Sequence, residues 1–512
     1  MKREGFFQKE LLLRVFVSTL LFGLAAHAYS YFNLMYSHDS LLVYQWSDAG
    51  EMIGVGRFLV PVYMQIRGSF YPPFLVGLLS LVFLGGAAYL MLRLLNIKSK
   101  IPTVLLPGVL ATSTTLTLIN ATYSKDADTY MLALLLAVAA VCICCRRPIG
   151  FPIGVVLLAM SLALYQAFFQ VAVFLAMIFV VKVIMEGAQV KKILFTGVKL
   201  VAMLLLGLVL YYVALRVVLQ ATGRGLTESY NGLTHLGEFG GPGEILALLK
   251  DTWTFPLTSL HTPEVIRSEW IGRLNDIVLL LIVALLGLLA WCRKVRGGAL
   301  GLLLAVVLLM PFGMNVVYFI SLGMVHSLML FSLYLIYFFA AMLLEMFLED
   351  AAAEGNLWTQ VRRGARYLLP ALLCVLIFNN VVFSNQAYLK KDLDYQTTLF
   401  TMTRIVDRME QLEGYVAGQT PVVMVGTLAG NGISAARDGL RELPGLGLWH
   451  RYSVTYPTSY RWYFREILAY PINLVSVGNT DWALREEVMA MPVFPAAGSC
   501  RMIDGTAISK LS

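Results

Sequence analysis

PPFLVGLLSLVFLGGAAYLMLRLL, residues 72–95, carries a single charge, Arg93, close to its end. Roughly 20 apolar residues cross the hydrocarbon core of a bilayer as one helix. A helix that is apolar on every side must be wholly buried in protein or sit in lipid. The same kind of run recurs along the chain. About eleven spans are read from the sequence, at 11–35, 72–95, 101–122, 129–145, 149–165, 168–185, 193–220, 277–292, 299–315, 317–346 and 367–383. A chain of 512 residues cannot bury that many all-apolar helices in water. Composition agrees, with 58% hydrophobic and 14% charged residues, against about 25% charged in soluble domains. The expected class is therefore an α-helical polytopic membrane protein. The run at 11–35 is too long for a signal-peptide core and is expected to be an uncleaved first helix.

The formal net charge is +8. Its placement argues for membrane topology and against nucleic-acid binding. With the N-terminus in the cytoplasm, the cytoplasmic loops carry Lys98 and Lys100, Arg146 and Arg147, Lys191 and Lys192, Arg293, Lys294 and Arg296, and Arg362, Arg363 and Arg366. The short outer turns at 165–166 and 315 carry no Lys or Arg. This is the positive-inside pattern. The long non-membrane segments then all fall outside, at 36–71, 221–276 and 384–512, with a short turn at 124–128. Chemistry or binding is expected on that face.

The expected division is a membrane domain, 1–385, and a small extracytoplasmic α/β domain, 386–512. Ala387 to Glu413 has helical periodicity. Pro421 to Gly426 and Ile472 to Val477 read as strands, Asp481 to Met489 as a short helix, and Arg501 to Leu511 as a hairpin about Asp504–Gly505. In the first outer loop Met52, Val55, Leu59, Val62 and Ile66 recur at helical spacing, with a bend expected at Pro61. Such a segment suits the membrane interface. The stretch from Glu244 to Leu260 is a second candidate of this kind. Of six cysteines only Cys500 lies in the tail, so no disulfide framework is expected there. Cys142, Cys144 and Cys145 lack a second ligand pair and read as membrane-helix residues. Gly54–Val55–Gly56 lacks the third glycine of a dinucleotide motif, and no Walker sequence exists.

The first outer loop holds Ser37–His38–Asp39–Ser40, then Asp48, Glu51 and Arg57. A carboxylate at the end of a membrane helix is costly unless used or solvated. Asp39 could take a proton from a sugar hydroxyl or simply cap the next helix. Arg57 could hold a phosphate in bidentate fashion. The second loop packs Lys125, Asp126 and Asp128 into five residues. They could cap the fourth span, or bind a sugar or a divalent cation beside Asp39. At the next outer turn Gln166 could bond a sugar hydroxyl, while the aromatics around it suit an interface belt. His326, inside the tenth span, is a weaker candidate and suits hydrogen-bonded packing.

Three stretches resemble a known family. HDSLLVYQWSDAGEMIGVGRFLVPVY, residues 38–63, is similar to the acidic-residue-then-GRF segment of the Gtr type II glucosyltransferases of the GT-C superfamily. SLALYQAFFQVAVFLA, residues 161–176, is similar to their YQA turn. FPAAGSCRMIDGTAISKLS, residues 494–512, resembles their ending. The resemblance implies a bacterial inner-membrane enzyme that moves glucose from a polyprenyl-phosphate carrier to O-antigen or another surface polysaccharide, outside the cytoplasm. It implies partnership with a carrier-loading glycosyltransferase and a flippase. By position it makes Asp39 the catalytic carboxylate of the first loop, Asp126 or Asp128 the second acidic residue, and Arg57 the arginine of the GRF segment. Arg67 and Lys125 would join Arg57 on the donor phosphate, and His38, Gln166 and His326 are candidate sugar or acceptor contacts. The first loop has His38–Asp39 where a paired acidic motif would be needed to hold a metal. A transporter or flippase of lipid-linked sugars is the alternative. Such proteins tend to show internal repeats and paired interrupted helices, which the sequence lacks.

Overall fold

A computed structural model describes residues 8–37, 41, 49–146, 149–227, 241–261, 269–349, 356–428, 454, 457–478 and 480–512. Among the described residues, nine helices are long and apolar enough to cross a membrane, and two shorter apolar helices, Gly150–Leu164 and Gly298–Met314, fill the remaining expected spans. The class read from the sequence is the one observed.

The first helices are α1 (Lys9–Phe32), the short α2 (Ala49–Gly54) and α3 (Val60–Arg67), then α4 (Pro73–Leu95), α5 (Lys100–Ala111), α6 (Thr114–Thr122), α7 (Ala127–Arg146) and α8 (Gly150–Leu164). They are followed by α9 (Phe169–Met185), α10 (Val190–Thr222), α11 (Pro242–Ser259), α12 (Glu269–Cys292), α13 (Gly298–Met314), α14 (Val316–Ile320), α15 (Leu335–Glu349) and α16 (Asn356–Glu410). Helix α4 packs against α1 on one side and α7 on the other, and α7 packs against α8. The α1–α4 approach needs Gly77, because a Cβ there would strike the ring of Tyr31. A polar tie crosses the same region. His27 is fully buried, with Nδ1 2.7 Å from the Tyr388 hydroxyl and Nε2 2.9 Å from the Ala111 carbonyl. A carbonyl only accepts, so Nε2 carries the proton and Nδ1 accepts from Tyr388. One imidazole thereby joins α1 to α5 and α16.

Two expectations are corrected. The apolar stretch of the first loop is two helices, not one helix bent at Pro61. The chain turns at Gly56, with φ +79°, and Pro61 lies in the first turn of α3. A proline is tolerated there because its missing N–H would have no helical partner. Val62 and Ile66 on α3 stand exposed, as an interfacial helix requires. The tenth span is likewise interrupted. Leu322 and Gly323 both take positive φ, and α14 gives way to a 3-10 stretch, Ser327–Tyr334, before α15. His326 stands exposed at the N-terminal edge of that stretch, not inside a continuous helix.

Helix α16 has 55 residues, about 80 Å at 1.5 Å per residue. A hydrocarbon core of about 30 Å cannot contain it, so it carries the chain out of the bundle into the tail. The expected boundary at 385–386 falls within this one helix. Beyond it lie β1 (Pro421–Val425), α17 (Pro457–Trp462), β2 (Asn473–Gly478), a 3-10 turn at Asp481–Leu484, α18 (Glu486–Met489), β3 (Cys500–Ile503) and β4 (Thr506–Lys510). The expected helix at 481–489 is split because Arg485 is extended. The sheet order is β2-β1-β4-β3, with β1 parallel to both neighbours and β3 antiparallel to β4. Asp504 and Gly505 both have positive φ, as a type I′ hairpin turn demands. Val422 and Met424 face Met402, Ile405 and Met409 of α16, while Val423 and Val425 pack on the other face against Val488 and Met491.

Replacing His27 by Leu strands the Ala111 carbonyl, at a cost of about 1–3 kcal/mol, and takes one partner from the Tyr388 hydroxyl. The expected result is a lower thermal midpoint in detergent. An unchanged midpoint would show that the tie carries no stability.

Candidate functional site

The turn between α6 and α7 is a tight 3-10 segment, Ser124–Asp126, and it gathers Lys125, Asp126 and Asp128 at one end of the bundle. Lys125 is buried and Asp126 half-buried. Asp128 is 0% exposed and lies inside the first turn of α7. Its bonds reach across to the first loop. Arg67 Nε lies 3.2 Å from Oδ2, and the Tyr63 hydroxyl donates to the same oxygen at 2.8 Å. The Thr129 N–H donates to Oδ1 at 2.9 Å. The cap reading of Asp128 therefore gives way to a buried ion pair between loops.

The two terminal nitrogens of Arg67 are committed as well. Its Nη1 donates to the Phe70 carbonyl at 3.1 Å and its Nη2 to the Lys125 carbonyl at 3.3 Å. Two charges out of water need this degree of satisfaction. Tyr63 lies four residues before Arg67, on the same face of α3. Burial, and next the neighbouring Asp128, raise the Tyr63 hydroxyl well above its ordinary range. Burial pushes the nearby Tyr71 hydroxyl up to about 12, against the opposing hydrogen bond with Ser124. Both tyrosines are proton donors at neutral pH.

The GRF segment and the YQA turn meet. The Arg57 guanidinium carbon lies 4.8 Å over the Tyr165 ring. Gln166 Nε2 donates to the Val55 carbonyl at 3.0 Å and lies 2.9 Å from the Tyr211 hydroxyl. Tyr211 in turn donates to the Gly56 carbonyl at 3.1 Å and its ring stacks on Phe58. The Leu59 N–H donates to the Ala163 carbonyl at 3.1 Å. Tyr130, two residues beyond Asp128, has its ring 4.6 Å from that of Tyr165. The Arg57 seat and the Arg67–Asp128 pair lie at the same end of the bundle.

The entry to the first loop is fastened from two sides. The Ser37 hydroxyl donates to the Thr122 carbonyl, and that of Ser124 donates to the Met35 carbonyl at 2.9 Å. Tyr36 stacks on Tyr395 of α16 with ring centroids 4.1 Å apart, and the Tyr395 hydroxyl donates to the Tyr36 carbonyl. Tyr36 and Leu41 are members of the tail's own apolar core, with Met402, Ile405 and Tyr463. His38, Asp39 and Asp48 lie outside the described residues. Asp39 follows Ser37 by two residues, at most about 7 Å of extended chain.

The predicted residues Arg57, Arg67, Lys125, Asp126, Asp128 and Gln166 share this end of the bundle. His326 precedes the 3-10 stretch that carries Phe331, whose ring meets Phe168, and Phe168 meets Tyr165 in turn. Sequence reasoning missed Tyr63, Tyr211 and Arg224. Arg224 packs on Gly50, where a Cβ would overlap its guanidinium, and the Thr227 N–H donates to the Gly54 carbonyl at 3.1 Å. The signal for Tyr63 was its spacing from Arg67; nothing in the sequence ties Tyr211 or Arg224 to the first loop. Among the described residues no three His, Cys, Asp or Glu side chains come together as metal ligands.

Asp128→Ala leaves Arg67 charged and unpaired, at an expected cost of about 3–5 kcal/mol. The double variant Arg67→Met/Asp128→Leu should melt above either single variant, measured by thermal unfolding in detergent. Additive losses would argue against a coupled pair.

Among curated proteins and among solved structures, nothing matches this chain. The family described as Glucosyl transferase GtrII matches residues 28–345. That stretch contains the first loop, the 124–128 turn and the YQA turn, and it is more than half of the chain. The chain therefore belongs to the GtrII glucosyl transferase family.

Proposed function

We propose that this glucosyltransferase takes glucose from a polyprenyl-phosphate carrier and passes it to a cell-surface glycan on the outer face of the cytoplasmic membrane. The observation that carries the reading is the seat of Arg57 on Tyr165, at the end of the bundle that also holds Lys125 and Asp126. Two motifs more than a hundred residues apart thus meet around one guanidinium, a group suited to a phosphate. The family match supplies the glucosyl chemistry. The positive-inside pattern supports the orientation, because the basic loops at 98–100, 191–192 and 293–296 lie at the opposite end.

In this reading Asp39 is the general base. It takes the proton of the acceptor hydroxyl, whose oxygen attacks the anomeric carbon. The bond from that carbon to the phosphate oxygen breaks, and its electron pair leaves with the lipid phosphate. Arg57 and Lys125 stabilise the charge that develops there. Asp126 is the second acidic residue at the acceptor. Asp128 serves by holding Arg67, and Arg67 in turn holds the Lys125 backbone. A lipid-borne donor also suits a chain without a nucleotide motif.

The test is transfer of radiolabelled glucose from polyprenyl-phosphate glucose to a surface-glycan acceptor by purified protein in detergent or proteoliposomes. Asp39→Asn should lower turnover about 10²–10⁴-fold with an unchanged melting point. Arg57→Ala should lower kcat about 100-fold. Full activity of Asp39→Asn would end the base assignment. Movement of the carrier across vesicles without any transfer would favour a flippase.

A further inference from the structure

A second basic site lies at the opposite end of the bundle from the cluster above. The start of α1, the end of α4 and the start of α5 enclose a cavity of about 470 Å³. Lys9, Arg14, Arg93, Lys98 and Lys100 line it, with Glu10 as its single acid. Leu11, Leu92 and Ile97 lie beneath it and are themselves buried. The frame is fixed by bonds that the topology of the chain does not require. Glu345 of α15 accepts from the Ser99 N–H at 3.0 Å and the Lys98 N–H at 3.2 Å. Arg14 Nη1 donates to the Thr103 hydroxyl at 3.1 Å, and the Gln8 N–H donates to the Tyr89 hydroxyl at 3.0 Å. Asn96 closes α4 in the left-handed conformation, which turns the chain back over the cavity.

Basic residues that only orient a membrane protein need no concavity, yet here five of them line one, at the level where α1 and α4 leave the membrane. We propose that it binds the phosphate headgroup of an anionic phospholipid of the surrounding bilayer. A phosphodiester meets several cations at once, and the place of the cavity at the membrane end of α1 and α4 puts a lipid headgroup at its mouth. Basic pockets between membrane helices are suited to such headgroups. The site is remote from Arg57 and Asp128 and does not depend on the transfer reaction.

The test is native mass spectrometry of the full chain in detergent, titrated with phosphatidylglycerol or phosphatidylcholine, with inorganic phosphate as competitor. Phosphatidylglycerol should bind at one site at least tenfold more tightly than phosphatidylcholine, and inorganic phosphate at the same concentration should not displace it. Lys9→Gln/Lys100→Gln, at two exposed positions, should weaken binding about 25-fold, at about fivefold per charge. Glu10→Gln should tighten it, a gain that misfolding would not produce. Equal affinity for the two lipids, displacement by inorganic phosphate, or unchanged affinity in the double variant would each overturn the proposal.

Discussion

The buried pair between Arg67 and Asp128 is the interaction on which the functional end of the molecule depends. Neither charge can stand alone at the edge of a bilayer. Each is instead surrounded by hydrogen bonds, to Tyr63, Thr129, Phe70 and Lys125. The consequence is geometric. The pair fixes α3 of the first loop to the turn between α6 and α7, so the loops cannot drift apart. The 3-10 turn then has one permitted place, and Lys125 and Asp126 are presented with it. A charge pair that adds little net stability compared with apolar residues can still set a unique arrangement of loops.

A second constraint comes from α16. A helix far longer than the bilayer is thick must leave the membrane, and it takes the tail with it. Tyr395 on that helix stacks on Tyr36, and Leu41 is buried in the tail's core. Both flanks of the His38–Asp39–Ser40 segment are therefore held by the tail and by Thr122. The tail is therefore a part of the framework at the entry of the first loop, through Tyr36 and Leu41. These contacts give the tail a physical role in holding the first loop.

Much of the fold was legible because apolar length leaves a single reading. The eleven spans, the strands near 421 and 473 and the turn at Asp504–Gly505 follow from hydropathy and turn chemistry. The interruption of the tenth span was not legible, since VYFISLGMVHSLMLFSLY stays apolar across the break and only Gly323 hints at it. Pro61 was misread because a proline bends a helix interior but suits a helix start, and the start itself was set by the turn at Gly56. At the site, Arg57, Gln166 and Asp128 could be picked out by residue type. Their partners could not. The Arg67–Asp128 and Gln166–Tyr211 bonds join residues 61 and 45 positions apart, and no local pattern encodes such pairings.

In the proposed reaction the donor phosphate rests between Arg57 and Lys125, at the end of the bundle where α1 terminates. The most direct measurement is an experimental structure of the protein in nanodiscs with a non-transferable phosphonate analogue of polyprenyl-phosphate glucose. Phosphonate oxygens are expected within about 3 Å of the Arg57 guanidinium and the Lys125 ammonium, with the sugar toward residues 38–40. A phosphonate bound beyond the Phe168–Phe331 row beside His326, or at the opposite end of the bundle, would contradict it.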